Sequence, residues 1–296
     1  MPPAADARLR TREAVALGLL HGPAELLPIS SSAHIALVPW LLGWRYAELG
    51  AEQRKAFEVA LHAGSVAALL VGLRAEVAAE LRALDRGGLR RIVLSTLPPG
   101  LAGLAFERVI ERRLGTPGTI AVGLAAGGVA MAAADTGAPG TRDRHDAGDR
   151  DALALGLAQA VALFPGVSRS GATLTVARLR GFARSDAGLL SRHAALPVIV
   201  GAAGLKGARA LRDGLPRAWA PGFAAGIAAS FLGTLASLRI VRGGEQDRPL
   251  LGFAAYRIAL AALVWRRLRA CRGRRVGTSP EIHPASHVSP SRTAAQ

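Results

Sequence analysis

Two short clusters of polar residues stand inside apolar stretches of this sequence, and the first contains the groups suited to acid–base chemistry. It holds two histidines, one carboxylate and three consecutive serines within fourteen residues: His21, Glu25, Ser30, Ser31, Ser32 and His34. A carboxylate in an apolar span is costly unless it is paired or hydrated, so Glu25 is a candidate functional residue. His21 precedes it by four residues, so on a helix the two share a face as an acid–base pair. A serine hydroxyl is a candidate nucleophile if His34 or Glu25 accepts its proton.

The second cluster supplies the opposite charge. Arg169 stands between Ser168 and Ser170, with Gly166 and Gly171 on either side. Glycines let backbone amides approach an anion, and a guanidinium binds two phosphate oxygens at once. Together the clusters describe a phosphoryl-transfer site, in which the charge on a phosphate is neutralised while a hydroxyl or a water molecule attacks. Alternatively, Arg169 simply begins a cytoplasmic loop at the end of a helix.

Each cluster follows a proline, and this position constrains the elements that carry it. Pro28 and Pro165 lie 137 residues apart, nearly half of the chain. Proline does not continue a helix, and serines after it would leave polar groups in hydrocarbon unless they line a cavity. Paired interruptions in two halves are typical of repeats whose broken helices meet at a site. The alternative is a coincidence of small residues in a chain rich in Ala and Gly.

The distribution of charge indicates where long helices lie. Four windows hold at most one charged residue each: 14–44, 114–134, 152–168 and 218–238. A bilayer core of ~30 Å needs about 20 apolar residues, so several of these windows predict membrane spans. Three shorter runs predict short, tilted or broken helices: 59–73, 92–106 and 193–205.

An all-α polytopic membrane protein explains the composition. The 296 residues include 37 Lys and Arg against 21 Asp and Glu, a net charge of +16, and 50% of them are hydrophobic. Such a protein places Arg in its loops and Ala, Leu, Val and Gly in its spans. A soluble nucleic-acid binder would interleave its basic residues with aromatic or polar surface, and 4% aromatic residues do not allow this, so no nucleic-acid partner is expected. The single cysteine, Cys271, excludes an internal disulfide and a Cys-rich zinc site.

One membrane domain is predicted, over residues 13–265, with two repeats at about 13–135 and 151–265. A basic segment, 1–12, precedes it. A basic tail, 266–296, follows, and its six leading arginines indicate a cytoplasmic end that faces anionic lipids before a disordered terminus. Arg257 interrupts an apolar run near the end of the domain, so it either snorkels from a helix end or faces a polar interior.

Residues 18–34 and 164–173 resemble the two signatures of the bacterial undecaprenyl-diphosphate phosphatase, or bacitracin-resistance, family. The likeness extends over most of the chain through four further motifs: Phe57-Glu58-Val59, Gly64-Ser65, Leu196-Pro197 and Tyr256-Arg257. The resemblance implies inverted repeats with two re-entrant helical hairpins in a multi-pass protein of the plasma membrane. It further implies an enzyme that removes the terminal phosphate of undecaprenyl diphosphate, recycles the carrier lipid of peptidoglycan synthesis and gives bacitracin resistance.

The resemblance also implies roles for individual residues. Glu25 matches a motif glutamate, Ser31 a nucleophilic or phosphate-binding serine, and His34 the motif histidine. Arg169 matches the essential phosphate-binding arginine. The other residues expected to bind the phosphates are Ser30, Gly166, Ser168, Ser170, Gly171 and Arg257. The implied partners are the polyprenyl diphosphate, membrane lipids and a divalent cation such as Mg²⁺ bound by Glu25, and a homodimer is left open.

This chain differs from the family pattern at three positions. His21 stands where the family has a glutamate, Ala33 where glycine precedes the motif histidine, and His62 where glutamine is common. The differences favour either a site that uses His21 as the catalytic base or a protein that binds its lipid with weak catalysis. The alternative function is therefore a binder or translocator of polyprenyl phosphate, which repeat symmetry also favours.

Overall fold

Helices make up the fold of the described part of the chain. The computed structural model describes residues 9–137, 140–213, 219–242 and 249–276. Within these ranges there are eleven α-helices and no β-sheet, which confirms the predicted all-α class. The helices are α1 (Thr11–Leu26), α2 (Ser31–Leu42), α3 (Ala51–Gly72), α4 (Arg74–Arg82), α5 (Arg86–Arg113), α6 (Pro117–Asp135), α7 (Asp149–Val161), α8 (Arg169–Leu179), α9 (Arg184–Asp213), α10 (Ala220–Arg242) and α11 (Leu251–Val276).

Four of the described helices are long and apolar enough to cross a membrane. They are α3, α6, the part Arg184–Arg209 of α9 and the part Ala220–Arg239 of α10. Large apolar side chains point outward from these helices, and Leu232 and Val129 are 61% and 59% exposed. An apolar outer surface of this extent is suited to lipid and unsuited to water.

The helices differ from the predicted windows in two ways. Residues 152–168 do not form one span, because α7 ends at Val161 and α8 begins at Arg169. The three runs predicted to be short, tilted or broken lie in long helices: residues 59–72 in α3, which ends at Gly72, residues 92–106 in α5 and residues 193–205 in α9. Charged residues on at least one side of each run belong to the same helix, because Arg, Glu and Lys are good helix formers, whereas Arg74 begins α4.

The ends of the predicted domain are only partly described. Helix α11 continues to Val276, so residues 266–276 of the predicted tail are helical rather than disordered. Residues 277–296 lie outside the described residues, as do residues 1–8 of the predicted basic segment. The connection between α6 and α7 falls where the two predicted repeats divide, and the division itself stays a prediction.

Two helix pairs are interrupted beside the prolines singled out in the sequence. Helices α1 and α2 are separated by residues 27–30, and α7 and α8 by residues 162–168. α1 packs along α10, and α7 packs along α5. A Cβ atom on Gly22 of α1 would overlap the backbone of Gly233 and Thr234, and one on Gly156 of α7 would overlap that of Leu94. These close approaches fix the end of each broken helix against a long neighbour.

Candidate active site

Both loops end in the same backbone turn. Ser30 has φ 76° and Ser168 has φ 68°, and no other described residue except glycine has a positive φ. Each serine caps the helix that follows. Ser30 Oγ accepts a hydrogen bond from Ala33 N at 3.4 Å, and Ser168 Oγ accepts one from Gly171 N at 3.2 Å. The caps satisfy one free amide at each helix start, so they offset the strain of the turn.

The residues after the two caps, Ser31 and Arg169, both bind Glu25. Ser31 Oγ donates to Glu25 Oε2 at 2.6 Å, and Arg169 Nη2 donates to Oε1 at 2.5 Å. The Glu25 side chain is 4% exposed, so a single buried carboxylate joins the two loops. Ser170 Oγ adds a second link by donating to Leu27 O at 3.1 Å. The structure thus brings together the carboxylate, the serine and the arginine that the sequence placed in two halves.

Arg257 lies beneath both loops and is completely buried. Its guanidinium donates to Pro28 O at 3.4 Å, to Gly166 O at 3.1 Å and to Val167 O at 2.6 Å. Of the two locations considered from the sequence, the structure places it in the interior. Its contacts are with backbone carbonyls of both loops, which ties the loops together, and its expected contact with phosphate stays a prediction.

His34 faces away from the Glu25 carboxylate. Its Nδ1 is 2.7 Å from Ser30 O and its Nε2 is 2.7 Å from the Tyr256 hydroxyl. A carbonyl only accepts, so Nδ1 carries the proton and Tyr256 donates to Nε2. Because both ring nitrogens are engaged, the structure brings Ser31 to Glu25 and not to His34. Tyr256 was not among the expected site residues, and its signal was its place beside Arg257 in the family likeness.

His21 and His62 flank Glu25 on its other side. The Nε2 atoms of His21 and His62 lie 3.9 and 3.7 Å from Glu25 Oε2. The two rings meet edge to face with centroids 4.6 Å apart. His21 shares a helix face with Glu25, as expected from their spacing, but the separation is longer than a hydrogen bond. His62 was not assigned a role from the sequence, although a histidine in the apolar run 59–73 was a signal for a functional residue.

Two cavities share the Glu25–Arg169 pair. One, the polar cavity, has a volume of about 220 Å³, and its polar lining residues are Glu25, Ser30, Ser31, Ser32, Lys55, Glu58, His62, Ser168, Arg169 and Ser170. The other, the apolar cavity, has a volume of about 100 Å³, and most of its lining residues are apolar: Leu26, Leu27, Pro28, Leu69, Leu73, Leu174, Ala195, Leu196, Ile199, Val241, Leu250 and Phe253. Its remaining lining residues are Glu25, Arg169, Ser170, Arg178, Arg184, Gly188, Ser191 and Arg192. A polar and an apolar compartment that meet at an ion pair suit a ligand with a charged head and a hydrocarbon chain.

Residues 14–263 match the family model described as bacitracin resistance protein BacA. The chain belongs to the BacA family. It is 40% identical over 269 residues to a protein named undecaprenyl-diphosphatase from Geobacter sulfurreducens, which covers 85% of this chain and 96% of that protein. The identity to proteins of the same name is 38% over 267 residues in Chromohalobacter salexigens and 35% over 263 residues in Pelotomaculum thermopropionicum; each match covers 85% of this chain, and 97% and 94% of those proteins. Family and spans together make this a multi-pass membrane protein.

The electrostatics of this BacA-family site favour an anion. Helices α2 and α8 begin at Ser31 and Arg169, so the starts of two helices line the polar cavity. Each helix start carries a partial positive charge of about half a unit. Arg169 and Lys55 are matched in the lining by Glu25 and Glu58, so the formal charges cancel and the two helix starts supply the excess positive potential. A diphosphate group has the charge and the oxygen acceptors that such a lining can bind.

The donors around Glu25 also bear on the divalent cation that the family resemblance implies. The ligand atoms of His21, Glu25 and His62 all lie within 4.8 Å of one another. Mg²⁺ takes oxygen ligands in a near-ideal octahedron and usually keeps several waters. Two imidazole nitrogens and one carboxylate therefore do not fit Mg²⁺, and they resemble the ligand sets of transition metals.

Proposed function

We propose that this chain hydrolyses undecaprenyl diphosphate to undecaprenyl phosphate and inorganic phosphate. The curated relatives that carry the name undecaprenyl-diphosphatase support this reaction. The observation that carries the proposal is the buried Glu25 carboxylate, which binds a serine hydroxyl and an arginine beside a polar cavity. The reaction would recycle the carrier lipid of peptidoglycan synthesis in the plasma membrane and so give bacitracin resistance.

The two cavities divide the substrate by polarity. The diphosphate occupies the polar cavity, where hydroxyl and amide groups at the starts of α2 and α8 donate to its oxygens. The first part of the prenyl chain occupies the apolar cavity, whose lining includes Leu69, Leu174 and Phe253. The ion pair between them marks where the charged head begins, so a long-chain prenyl diphosphate is the substrate class that the site accommodates.

Binding of the substrate exchanges the partner of Arg169. In the free protein Arg169 is paired with Glu25. The terminal phosphate offers Arg169 more charge and a bidentate geometry, so the guanidinium turns to the phosphate oxygens. Glu25 then loses its cationic partner and becomes a stronger base for the proton that Ser31 already donates to it. This coupling ties activation of the nucleophile to the presence of a phosphate.

Ser31 Oγ then attacks the terminal phosphorus. Its proton passes to Glu25, the bond from the terminal phosphorus to the bridging oxygen breaks, and undecaprenyl phosphate leaves with that oxygen and the proton. A water molecule next attacks the phosphoserine, with Glu25 again as the base, and the proton returns to Ser31 as inorganic phosphate departs. Arg169 neutralises the charge that develops on the transferred phosphoryl group in both steps.

The finer architecture belongs to the same proposal. The spacing of Ser30 and Ser168 (168 − 30 = 138 residues), with matching turns and caps, supports inverted repeats with two re-entrant hairpins. A divalent cation at Glu25 stays part of the proposal, and a homodimer stays a prediction. The names of the relatives favour a hydrolase over a binder or translocator of polyprenyl phosphate.

A phosphate-release assay tests the proposed reaction. The purified protein in detergent should release inorganic phosphate from undecaprenyl diphosphate, and Arg169→Ala should lower kcat/KM by about a thousandfold or more, as removal of an arginine that stabilises a phosphoryl group does elsewhere. Arg150→Ala, an exposed arginine on α7, is the matched control and should retain full activity. Failure of the wild type to release phosphate where a relative does so would exclude the hydrolase.

A further inference from the structure

The three side chains around the Glu25 carboxylate form the one cluster of potential metal ligands found among the described residues. His21 comes from α1 and His62 from α3, and their Nε2 atoms approach the same oxygen, Glu25 Oε2, at 3.9 and 3.7 Å. These distances are too long for hydrogen bonds between the pairs. The position of the proton on each imidazole ring determines whether its Nε2 can bind a cation.

His21 has its proton on the side away from Glu25. The Ser230 hydroxyl donates its single hydrogen to Leu61 O at 2.8 Å. It can therefore only accept from His21 Nδ1, which lies 3.2 Å away. In the neutral ring the lone pair is then on Nε2, which is buried and has no hydrogen-bond partner among the described residues. A buried acceptor thus faces a buried carboxylate.

His62 repeats this arrangement from the neighbouring helix. Its Nδ1 is 2.8 Å from Glu58 O, a carbonyl that can only accept, so Nδ1 carries the proton. Its Nε2, which bears the lone pair in the neutral ring, lies 3.7 Å from Glu25 Oε2. Two imidazole nitrogens therefore lie 3.9 and 3.7 Å from the carboxylate oxygen to which Ser31 donates, and a cation among the three would offset their mutual repulsion.

We propose that His21, Glu25 and His62 bind a divalent transition-metal ion of the zinc class beside the phosphate site. Zn²⁺ binds nitrogen and oxygen at about 2.0–2.1 Å, so two ligands of a tetrahedral ion lie about 3.3 Å apart. The two separations from Glu25 Oε2 exceed this by about 0.6 and 0.4 Å, and the three ligand atoms lie within 4.8 Å of one another, so binding needs the side chains to close by up to about 1.5 Å. The outward nitrogen of each ring already donates to an oxygen, of Ser230 or of Glu58, which is the arrangement that fixes metal-binding histidines.

The site would leave one ligand position open toward the polar cavity. Three protein ligands and one exchangeable position are typical of catalytic zinc sites. His62 and Glu25 both line the polar cavity, so a phosphate oxygen or a water molecule can reach that position. This inference rests on the proposed function for the location of the substrate, whereas the metal is measured without substrate, so each can fail alone.

The test is metal binding to the purified chain without a histidine tag. After removal of metal with a chelator, the protein is equilibrated with Zn²⁺, Co²⁺ or Mg²⁺, and bound metal is measured by mass spectrometry. We expect one Zn²⁺ or Co²⁺ per chain, a visible Co²⁺ absorption typical of four-coordinate geometry, and no Mg²⁺ binding at equal concentration. His21→Gln and His62→Gln should each weaken Zn²⁺ binding at least a hundredfold, whereas His145→Gln, on an exposed histidine, should leave it unchanged.

Ser230→Ala refines the test because Ser230 contacts no metal. As a positioning residue it should weaken Zn²⁺ binding by about tenfold to a hundredfold, the range found when a partner of a ligating histidine is removed. Thermal unfolding of each variant verifies that the fold is retained. The proposal is overturned if the folded wild type binds no Zn²⁺, if Mg²⁺ binds as tightly, or if both glutamine variants bind Zn²⁺ like the wild type. Zn²⁺ binding without phosphate release would instead contradict only the proposed reaction.

Discussion

The two broken helix pairs share a backbone and differ in their chemistry. Ser30 and Ser168 have the same turn and the same cap, 138 residues apart. At that spacing His21 of the first pair corresponds to Gln159 of the second, and Glu25 corresponds to Leu163. The first pair thus carries an imidazole and a carboxylate where the second carries an amide and an aliphatic side chain.

Gln159, which corresponds to His21, has a purely structural role in the second helix pair. Its amide nitrogen donates to Ser95 O and to Ala194 O, both at 3.1 Å, so it ties α7 to α5 and α9. His21 instead uses one nitrogen to contact Ser230 of α10 and directs the other at Glu25. At corresponding positions, therefore, the second helix pair uses Gln159 to hold helices together, whereas the first pair directs His21 toward Glu25. Arg169 then supplies the charge that the first half lacks.

The largest effect on activity should come from a substitution of Arg257, which joins the loops of the two helix pairs. Arg257→Met removes three hydrogen bonds, to carbonyls of the first loop and of the second. Displacement of reacting groups by about 1 Å can cost about a hundredfold in rate, so we expect kcat to fall by about that factor with a smaller change in KM. Phosphate release over a range of substrate concentrations measures the two separately.

Two further variants determine whether Arg257 acts by position. Arg257→Lys retains a cation that reaches at least one carbonyl, so it should recover part of kcat. Arg266→Met, on an exposed arginine of the same helix, should have wild-type kinetics. If Arg257→Met raised KM and left kcat unchanged, Arg257 would bind substrate directly, as the sequence had led us to expect.

The first helix of each pair has a buried acidic residue near its start, and the two residues differ in their hydrogen-bond donors. Glu13 of α1 accepts from Tyr46 N, whereas Asp151 of α7 accepts from Arg142 and Arg180, in a charged corner outside the spans. Burial by itself would raise the pKa of Asp151, but hydrogen bonds from Arg142, Gly148 N and Arg180 lower that pKa to about 2. The folded state therefore favours the ionised carboxylate. The resulting stability is present above pH 4 and is lost as the pH falls toward 2.

Asp151→Asn should remove this dependence on pH. A depression of the pKa from 3.8 to about 2 corresponds to about 2 kcal/mol at neutral pH, so the variant should unfold about 4 °C lower. Its thermal midpoint should also change less between pH 4 and pH 2 than that of the wild type. Asp149→Asn breaks only an ion pair with the exposed Arg90 and should shift the midpoint by less than about 1 °C. Equal behaviour of the two variants would contradict the assignment.

The sequence allowed the breaks and the meeting of Glu25 with Ser31 and Arg169 to be predicted, because both depend on local chemistry. Proline followed closely by serines predicts an interruption, whereas Pro98, Pro99 and Pro197 lie inside continuous helices. A buried carboxylate such as Glu25 needs a partner of opposite charge. Charge-free length was less informative, since residues 152–168 are long enough to span and yet contain a break. The length of a charge-free window does not reveal a turn inside it, such as the one at Gly166, whose φ is 94°.

The partners that sequence reasoning missed come from other helices. Ser230, Tyr256 and His62 lie far along the chain from His34 and Glu25, and only the packing of α3, α10 and α11 brings them together. The phosphate contact expected of Arg257 rested on resemblance and the proton transfer to His34 on its place in the serine cluster, and neither argument specifies the direction of a side chain. The direction of a ring or guanidinium is set by the acceptors around it, and those acceptors are backbone carbonyls that no motif specifies.

The smallest expected effect tests whether the two caps are equivalent. Ser30→Ala and Ser168→Ala each remove a cap and keep the strained φ, so each should cost about 1 kcal/mol and lower the thermal midpoint by about 2 °C. Glycine at either position also removes the cap but relieves a positive φ that costs other residues about 1 kcal/mol, so Ser30→Gly and Ser168→Gly should be close to neutral.

Thr116 provides the contrast, because it caps α6 at an ordinary φ of −81°. Thr116→Gly relieves no strain there, so it should be destabilising where the two serine variants are not. Equal shifts of the thermal midpoint for the Ser30 and Ser168 variants would mean that the two loops are the same structural unit and differ only in their functional side chains. A neutral Ser30→Gly beside a destabilising Ser168→Gly would instead mean that the similar dihedral angles are held by different forces, and the 138-residue correspondence would then carry no weight.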